Sequence, residues 1–291
     1  MTDRAQQRRQ LKERLMAREA IMAPGVFDMI SAKIADQEGF DALYMTGYGI
    51  SASYLGLPDA GLASYADMVN CVQRIANGCK TPLIADGDTG YGGALNVRHT
   101  VAGYEAAGAA AIQLEDQKFP KKCGHTLGRD VIDLDDMLLK IRVALDTRTD
   151  PNFLIIARTD ARTAHGLEAA LERGKAFRDA GADVVFVESP ESEEEMRLII
   201  ETLDCPLVAN MVEGGFTPVF DQEKLKEMGF ALSIFPATGF LTVGAALGNA
   251  YRTLRAEGGS ESLRNQMDDF DKFSRMIGFA DVWEFEKRYG T

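Results

Sequence analysis

Eight short apolar runs recur along the chain, each followed by polar or glycine residues and then by a segment of helical period. The runs occupy residues 21–27, 42–46, 82–86, 110–116, 153–160, 183–188, 206–211 and 230–236. Segments such as NVRHTVAGYEAAGA, LEAALERGKAFRDAGA and SEEEMRLIIETLD lie between them, each long enough for a crossover helix. Strands that alternate with helices in this way form a parallel sheet. Eight repeats close most naturally into a barrel, whereas a doubly wound sheet usually has fewer strands and a switch point. The expected fold is therefore α/β, a (β/α)8 TIM barrel, and 291 residues suit one such domain.

The polar residues sharpen that expectation. Asp28 follows the first run, Thr46 ends the second, Asp86 and Asp88 the third, Glu115 and Asp116 the fourth, Arg158 and Asp160 the fifth, Glu188 the sixth and Asn210 the seventh. In a barrel these strand ends converge on the C-terminal rim, where barrel enzymes keep their chemistry. Helix capping accounts for Asp28 and Asp160, but not for Arg158 inside IIARTDA, where a buried cation needs an anionic partner.

Composition excludes several classes. With 46% hydrophobic and 26% charged residues the chain is ordinary globular protein. A net charge of -12 repels phosphate backbones and anionic lipid, so neither nucleic acid nor a membrane is an expected partner. No apolar run reaches the length of a membrane span, and the charged start MTDRAQQRRQLKERLMAREA reads as helix rather than signal peptide, which places the chain in the cytoplasm. The four cysteines form no C-x-x-C pair, so neither a zinc site nor a disulfide framework is expected. Cys71, Cys79 and Cys205 lie in or beside apolar segments and read as packing residues.

Two constellations carry chemistry. Asp86 and Asp88 end one strand, and Glu115 and Asp116 the next; carboxylates gathered this closely need a cation, and oxygen ligands suit Mg²⁺, with Mn²⁺ as substitute. Mg²⁺ keeps several waters, so few of these groups need bind it directly. Lys121-Lys122-Cys123-Gly124-His125 lies in a long connection, 117–134, that resembles a functional loop or lid. There the lysines and histidine are expected to lower the thiol pKa, and glycine permits close backbone approach. GYGISA at 47–52 fits a dinucleotide fingerprint, but the next strand ends near Asp86, too far on for the acidic residue the fingerprint requires. Gly47 and Gly49 read instead as a loop that presents backbone N–H groups to an anion. His99 and His165 fall on helical segments and read as solvent-facing or capping residues. The stretch 259–291, rich in aromatic residues, fits amphipathic helices that must bury apolar faces on this subunit or on a neighbour.

Taken together, YMTGYG, GLPD, ADGDTGYGG, IQLEDQ, KKCGH, IIARTDA, FVES, LVANM and Pro236 resemble the isocitrate lyase and phosphoenolpyruvate mutase superfamily from about Pro24 to Gly258. KKCGH is specific to its carbon–carbon lyase branch. The resemblance implies a barrel whose C-terminal helix is exchanged between subunits in a homotetramer, a dimer of dimers. The chain would then be one barrel domain over 1–291, with 259–291 as a helical oligomerisation extension.

It also implies roles. Thr46, Gly47 and Tyr48 would hold the 2-oxo acid carboxylate, Tyr48 departing from the usual Ser-Gly-Gly and narrowing the pocket. Asp86 and Asp88 would be the metal carboxylates, Glu115 assisting through water and Asp59 lying nearby. Arg158 would meet the substrate's carboxylate and developing oxyanion, with Glu188 and Asn210 on the far side, and Lys121, Gly124 and Pro236 lining the site. Cys123 would be the acid and base thiol; for the base at the C2 hydroxyl, Tyr44 is preferred over His125 and Glu188. The implied activity is Mg²⁺-dependent cleavage of a small 2-hydroxy dicarboxylate, of the 2-alkylmalate or 2,3-dimethylmalate type, to a 2-oxo acid such as pyruvate plus a carboxylic acid. Behind it stand 2-methylisocitrate cleavage and oxaloacetate hydrolysis, the latter disfavoured because such hydrolases carry serine at the place of Pro236. Leu241 and the acidic stretch 268–271 stand where methylisocitrate lyases place arginines, which disfavours a tricarboxylate. A catalytically silent 2-oxo acid binder is the alternative from another class, and intact Cys123, Asp86 and Arg158 argue against it.

Overall fold

The computed structural model describes residues 3–290. Helix α1 (Arg4–Met16) precedes a regular alternation: β1 (Ile21–Val26), α2 (Met29–Gln37), β2 (Leu43–Met45), α3 (Gly47–Ile50), α4 (Tyr65–Gly78), β3 (Leu83–Asp86), α5 (Ala94–Ala107), β4 (Ala111–Glu115) and α6 (Leu134–Thr147). It continues through β5 (Leu154–Thr159), α7 (Ala161–Asp179), β6 (Val184–Val187), α8 (Glu193–Leu203), β7 (Val208–Asn210), α9 (Gln222–Met228), β8 (Leu232–Phe235) and α10 (Thr238–Glu257), and ends with α11 (Phe270–Met276) and α12 (Phe279–Tyr289).

All neighbouring strands pair in parallel, in the order β6-β5-β4-β3-β2-β1-β8-β7. A single parallel bridge, Val185 to Leu207, brings β6 back to β7 and nearly closes a (β/α)8 barrel. All eight expected strands are present, each shorter than its apolar run by a residue or more because the runs take in loop residues at one or both strand ends. The strands are buried on both faces, as barrel strands covered by helices must be. One core cluster joins Ile21, Ala23, Ile84, Ile156, Phe186, Val208 and Ile234 of the strands to Leu11 and Leu15 of α1. Arg8 of α1 donates to Ala109 O and Glu105 O, just before β4, so α1 covers the N-terminal end of the barrel and leaves the opposite rim for chemistry.

The chain divides into two compact units between Thr238 and Gly239. In the second, α10 to α12 bury none of their residues, and Leu241, Val243, Leu247 and Tyr251 are all exposed. Within it Phe279 packs on Trp283, and Arg275 lies over the Trp283 ring. No helix among the described residues is long and apolar enough to cross a membrane.

Candidate active site

The rim gathers the polar strand ends as the alternation required. Asp86 closes β3 and is buried; its oxygens accept from Asp88 N at 3.0 Å and Gly47 N at 3.3 Å. Gly47 is a glycine of necessity, since a Cβ there would lie 2.7 Å from Asp86 Oδ2. The segment after Thr46 is not an open loop but a short helix, α3, with the Thr46 hydroxyl accepting from Gly49 N. The anion that meets the Gly47 N–H is thus Asp86. Tyr48 on α3 keeps 39% of its surface exposed.

Asp88 stands at φ 50, a left-handed conformation that turns its carboxylate back toward Lys121. The buried Lys121 ammonium bridges Asp88 and Asp59, 2.5 Å from the latter. Lys121, expected to face the substrate, is therefore a cation shared by two carboxylates. Burial, with Asp86 and Asp59 close by, pushes Asp88 up to about 7 despite Lys121. On β4, burial drives Glu115 well above the ordinary carboxylate range, although Arg158 opposes it; Oε1 of Glu115 is buried with no hydrogen-bond partner. Asp116 plays another part: it accepts from Asp160 N at 2.9 Å and pairs with Arg173 at 3.0 Å, which ties β4 to β5 and α7.

Arg158 does have the anionic partners its burial demands. Its guanidinium binds Asp160 through two 2.9 Å hydrogen bonds and lies 3.1 Å from Glu188 and 3.5 Å from Glu115. Asp160 stands at the N-cap position of α7 but its carboxylate makes no capping hydrogen bond, in contrast to Asp28, whose carboxylate and Ser31 form a capping box on α2. Glu188 ends β6 fully buried. Burial opposes its charge, but Arg158 and His125 hold its carboxyl below the usual range. Asn210 on β7 donates to Glu188 at 2.9 Å. Pro236 closes β8 hard against Gly25, where a Cβ would lie 2.6 Å from the Pro236 Cα.

The segment 117–133 covers this rim. It is pinned by Cys123 N donating to Asp59 O at 3.1 Å, Ser189 Oγ to Gly124 O at 2.8 Å, and Phe216 N to His125 Nδ1 at 3.2 Å. A Cβ on Gly124 would lie 2.4 Å from Arg158 Nη2, so only glycine lets the loop seat. Burial lowers the His125 pKa, and with Nδ1 accepting from Phe216 the neutral ring carries its proton on Nε2, facing Glu188. Tyr44 donates to Gln113 at 3.1 Å, and burial beside Asp86 pushes its phenol well above the usual value.

The expected low-pKa thiol is corrected. Burial, joined by Asp59 and Glu188, pushes Cys123 up to about 11. Lys121 is committed to carboxylates and Lys122 reaches out to Gly128 O, so the lysines that were to activate the thiol point elsewhere. Cys123 is consequently a proton-bearing thiol at neutral pH. Its alkylation by iodoacetamide at pH 8 should run about 10²-fold slower than that of an ordinary exposed thiol, because the thiolate is the nucleophile. An ordinary rate would contradict this environment. All four thiols are free, and Cys79 is buried. His99 packs against Tyr65 with the rings tilted and their centroids 4.5 Å apart, and His165 pairs with Asp130 of the 117–133 segment at 2.9 Å.

Two residues that sequence reasoning did not single out complete the site. Gln113 orients Tyr44 from β4, and Arg129 reaches Asp160 at 2.5 Å from the covering segment. Only the apolar-polar alternation of IQLED marks the first, and nothing local marks the second.

A nearly closed parallel barrel with an acidic rim, a buried arginine and a thiol-bearing cover defines a (β/α)8-barrel enzyme with its site at the C-terminal strand ends. The chain belongs to the PEP mutase/isocitrate lyase superfamily: the family model described as phosphoenolpyruvate phosphomutase matches residues 11–255. It is 44% identical to 2,3-dimethylmalate lyase of Eubacterium barkeri, over 97% of each chain. It is 40% identical to 2-methylisocitrate lyase of Aeropyrum pernix, over 96% of this chain and 88% of that one. Oxaloacetate acetylhydrolase in complex with the inhibitor 3,3-difluorooxalacetate superposes with a TM-score of 0.92 at 38% identity, covering 98% and 97% of the two chains. Phosphonopyruvate hydrolase in complex with oxalate and Mg²⁺ gives 0.89 at 28% identity over 100% of both.

Proposed function

We propose that the protein is a carbon–carbon lyase that cleaves a 2-hydroxy dicarboxylate of the 2,3-dimethylmalate or 2-alkylmalate type to pyruvate, or another 2-oxo acid, plus a carboxylic acid. The observation that carries this reading is Cys123: a protonated, half-buried thiol on a segment seated against Arg158 and Glu188. Scission of C2–C3 leaves an enediolate that needs one proton at C3, and a thiol of this kind supplies it. Arg158 holds the substrate carboxylate and the oxygen charge that develops. The C2 hydroxyl proton passes to Glu188, the buried carboxylate held ionised beside Arg158. Tyr44 and His125 are less suited, since the Tyr44 proton is committed to Gln113 and the accepting nitrogen of His125 to Phe216.

A divalent cation fits the donor set. Six rim carboxylates, Asp59, Asp86, Asp88, Glu115, Asp160 and Glu188, face three cations, Lys121, Arg129 and Arg158. Asp86 has only backbone donors, and Glu115 Oε1 has none. Among the described residues no group of three or more His, Cys, Asp or Glu is arranged to hold a metal by itself. Asp86, Asp88 and, through water, Glu115 would hold Mg²⁺ or Mn²⁺, which supplies Lewis-acid stabilisation of oxygen charge when bound. Pro236 offers neither N–H nor hydroxyl to hold an attacking water, which favours cleavage over oxaloacetate hydrolysis. The exposed apolar residues of α10 to α12 are consistent with the exchanged helices of a homotetramer.

Pyruvate release from a panel of hydroxy dicarboxylates, with and without EDTA, tests the reading; no release from any member would leave the silent 2-oxo acid binder. Substrate size gives a second test. Arg158 already serves three carboxylates, so a third substrate carboxylate enters without a cation of its own. Loss of a charge-assisted hydrogen bond costs about 1.5 to 3 kcal/mol, and an unpaired buried charge more. The kcat/KM for 2-methylisocitrate should therefore fall at least about 10²-fold below that for 2,3-dimethylmalate. A tricarboxylate preference of tenfold or more would transfer the assignment to methylisocitrate cleavage.

A further inference from the structure

The groups of the proposed site are buried, with Glu188 and Asp160 wholly so and Asp86 at 7% exposure. The 117–133 segment is seated over them, pinned to Asp59, Ser189 and Phe216. Its ends are tied together by a bridge between Gln117 and Val131, whereas its interior contains neither helix nor strand, and Phe119 and Leu127 are left exposed. Polar contacts hold the interior down, among them those of Lys121 with Asp59 and Asp88 and those of Arg129.

The Arg129 side chain is fully buried although it belongs to a surface segment. Nε donates to Thr126 O at 3.0 Å within the segment itself; Nη2 donates to Thr163 Oγ1 of α7 at 2.7 Å; Nη1 meets Asp160 Oδ1 at 2.5 Å. That same Oδ1 accepts from Arg158 Nη2 at 2.9 Å. One carboxylate oxygen at the end of β5 is thus divided between the arginine of the cover and the arginine of the site. In the seated state Asp160 holds Arg158 through two 2.9 Å hydrogen bonds while its Oδ1 also accepts from Arg129, so departure of Arg129 would leave Asp160 to Arg158 alone.

We infer that Arg129 is a positioning residue that couples seating of the 117–133 segment to the readiness of Arg158, through the shared carboxylate of Asp160. The inference rests on the lyase reading only for its turnover measurement. The reactivity of Cys123 reports seating without any substrate, so the two can fail separately.

The experiment compares wild type, Arg129→Lys and Arg129→Ala by Cys123 alkylation rate with iodoacetamide and by kcat and KM with 2,3-dimethylmalate. In Arg129→Ala, alkylation should be about 10- to 100-fold faster, the factor that one lost charge-assisted contact puts on the seated–lifted equilibrium. Its kcat should fall by about 10- to 100-fold through misplacement of Arg158, with a smaller change in KM. Added guanidinium ions should partly reverse both effects. Arg129→Lys retains the charge but not the three-way contact, and should lie between the other two. If Arg129→Ala does not fold, the lysine variant decides alone, by a rise in alkylation together with a drop in kcat. Faster alkylation with unchanged kcat would reduce Arg129 to a latch and overturn the coupling. A drop in kcat with unchanged alkylation, or no change in either, would overturn it equally.

Discussion

Replacing Cys123 with serine is expected to lower kcat for 2,3-dimethylmalate cleavage by about 10² to 10⁴, the usual worth of a general acid, while leaving the fold and 2-oxo acid binding nearly intact. The substitution changes one atom on a segment whose backbone contacts, Cys123 N to Asp59 O and Ser189 Oγ to Gly124 O, do not involve the thiol. Its effect is on the proton. With its pKa pushed up to about 11, the thiol is protonated across the neutral range and remains acidic enough to yield that proton to a carbanionic centre. A serine hydroxyl holds its proton much more tightly. Because the folded-state value is raised, the acid form is retained as pH rises and is lost only toward pH 11, so no alkaline fall in kcat near neutrality should trace to this group in the free enzyme. Steady-state pyruvate release with circular dichroism as a folding control makes the measurement. A loss below about tenfold would remove Cys123 from the role of proton donor.

Exhaustive removal of divalent cations is expected to lower turnover by about 10³ or more, with recovery on adding Mg²⁺ or Mn²⁺. Negative charge at the rim exceeds positive. Lys121 satisfies Asp59 and part of Asp88, while Arg158 is divided among Asp160, Glu188 and Glu115. Asp86 and one oxygen of Glu115 have no cation, and burial presses Asp88 and Glu115 toward their protonated forms. Lewis-acid stabilisation of oxygen charge is worth several kcal/mol, and about 1.4 kcal/mol corresponds to each tenfold in rate. A second readout is independent of activity: binding to the native state alone should raise the melting temperature as Mg²⁺ is titrated. Full turnover after chelation and dialysis would defeat the proposal, whereas a rise in melting temperature without turnover would indicate a binding protein.

Much of this site could be read from the chain because barrel topology turns linear order into spatial convergence. Once eight strands alternate with helices, Asp86, Glu115, Arg158, Glu188 and Asn210 must meet at one rim, however far apart they stand in sequence. The need of Arg158 for anions followed from its place in an apolar run, and Asp160, Glu188 and Glu115 meet it. The Gly47 N–H meets an anion, as the glycines after Thr46 lead one to expect, but that anion is Asp86, and the close backbone approach expected at Gly124 is to the Arg158–Glu188 pair.

The sequence by itself determined the strand–helix order, the identity of the rim and the loop that bears the thiol, since each is inscribed in local periodicity or in a short motif. Tertiary structure alone decided the charge states and the pairings. The Cys123 thiol is raised rather than lowered because burial outweighs lysines that turn elsewhere. Lys121 faces Asp59 and Asp88, and Asp160 holds two arginines instead of capping α7. These outcomes depend on desolvation and on partners as distant as residues 59 and 121 or 129 and 160. A pKa or an ion pair is set by what surrounds a group in three dimensions, and no periodicity along the chain records that.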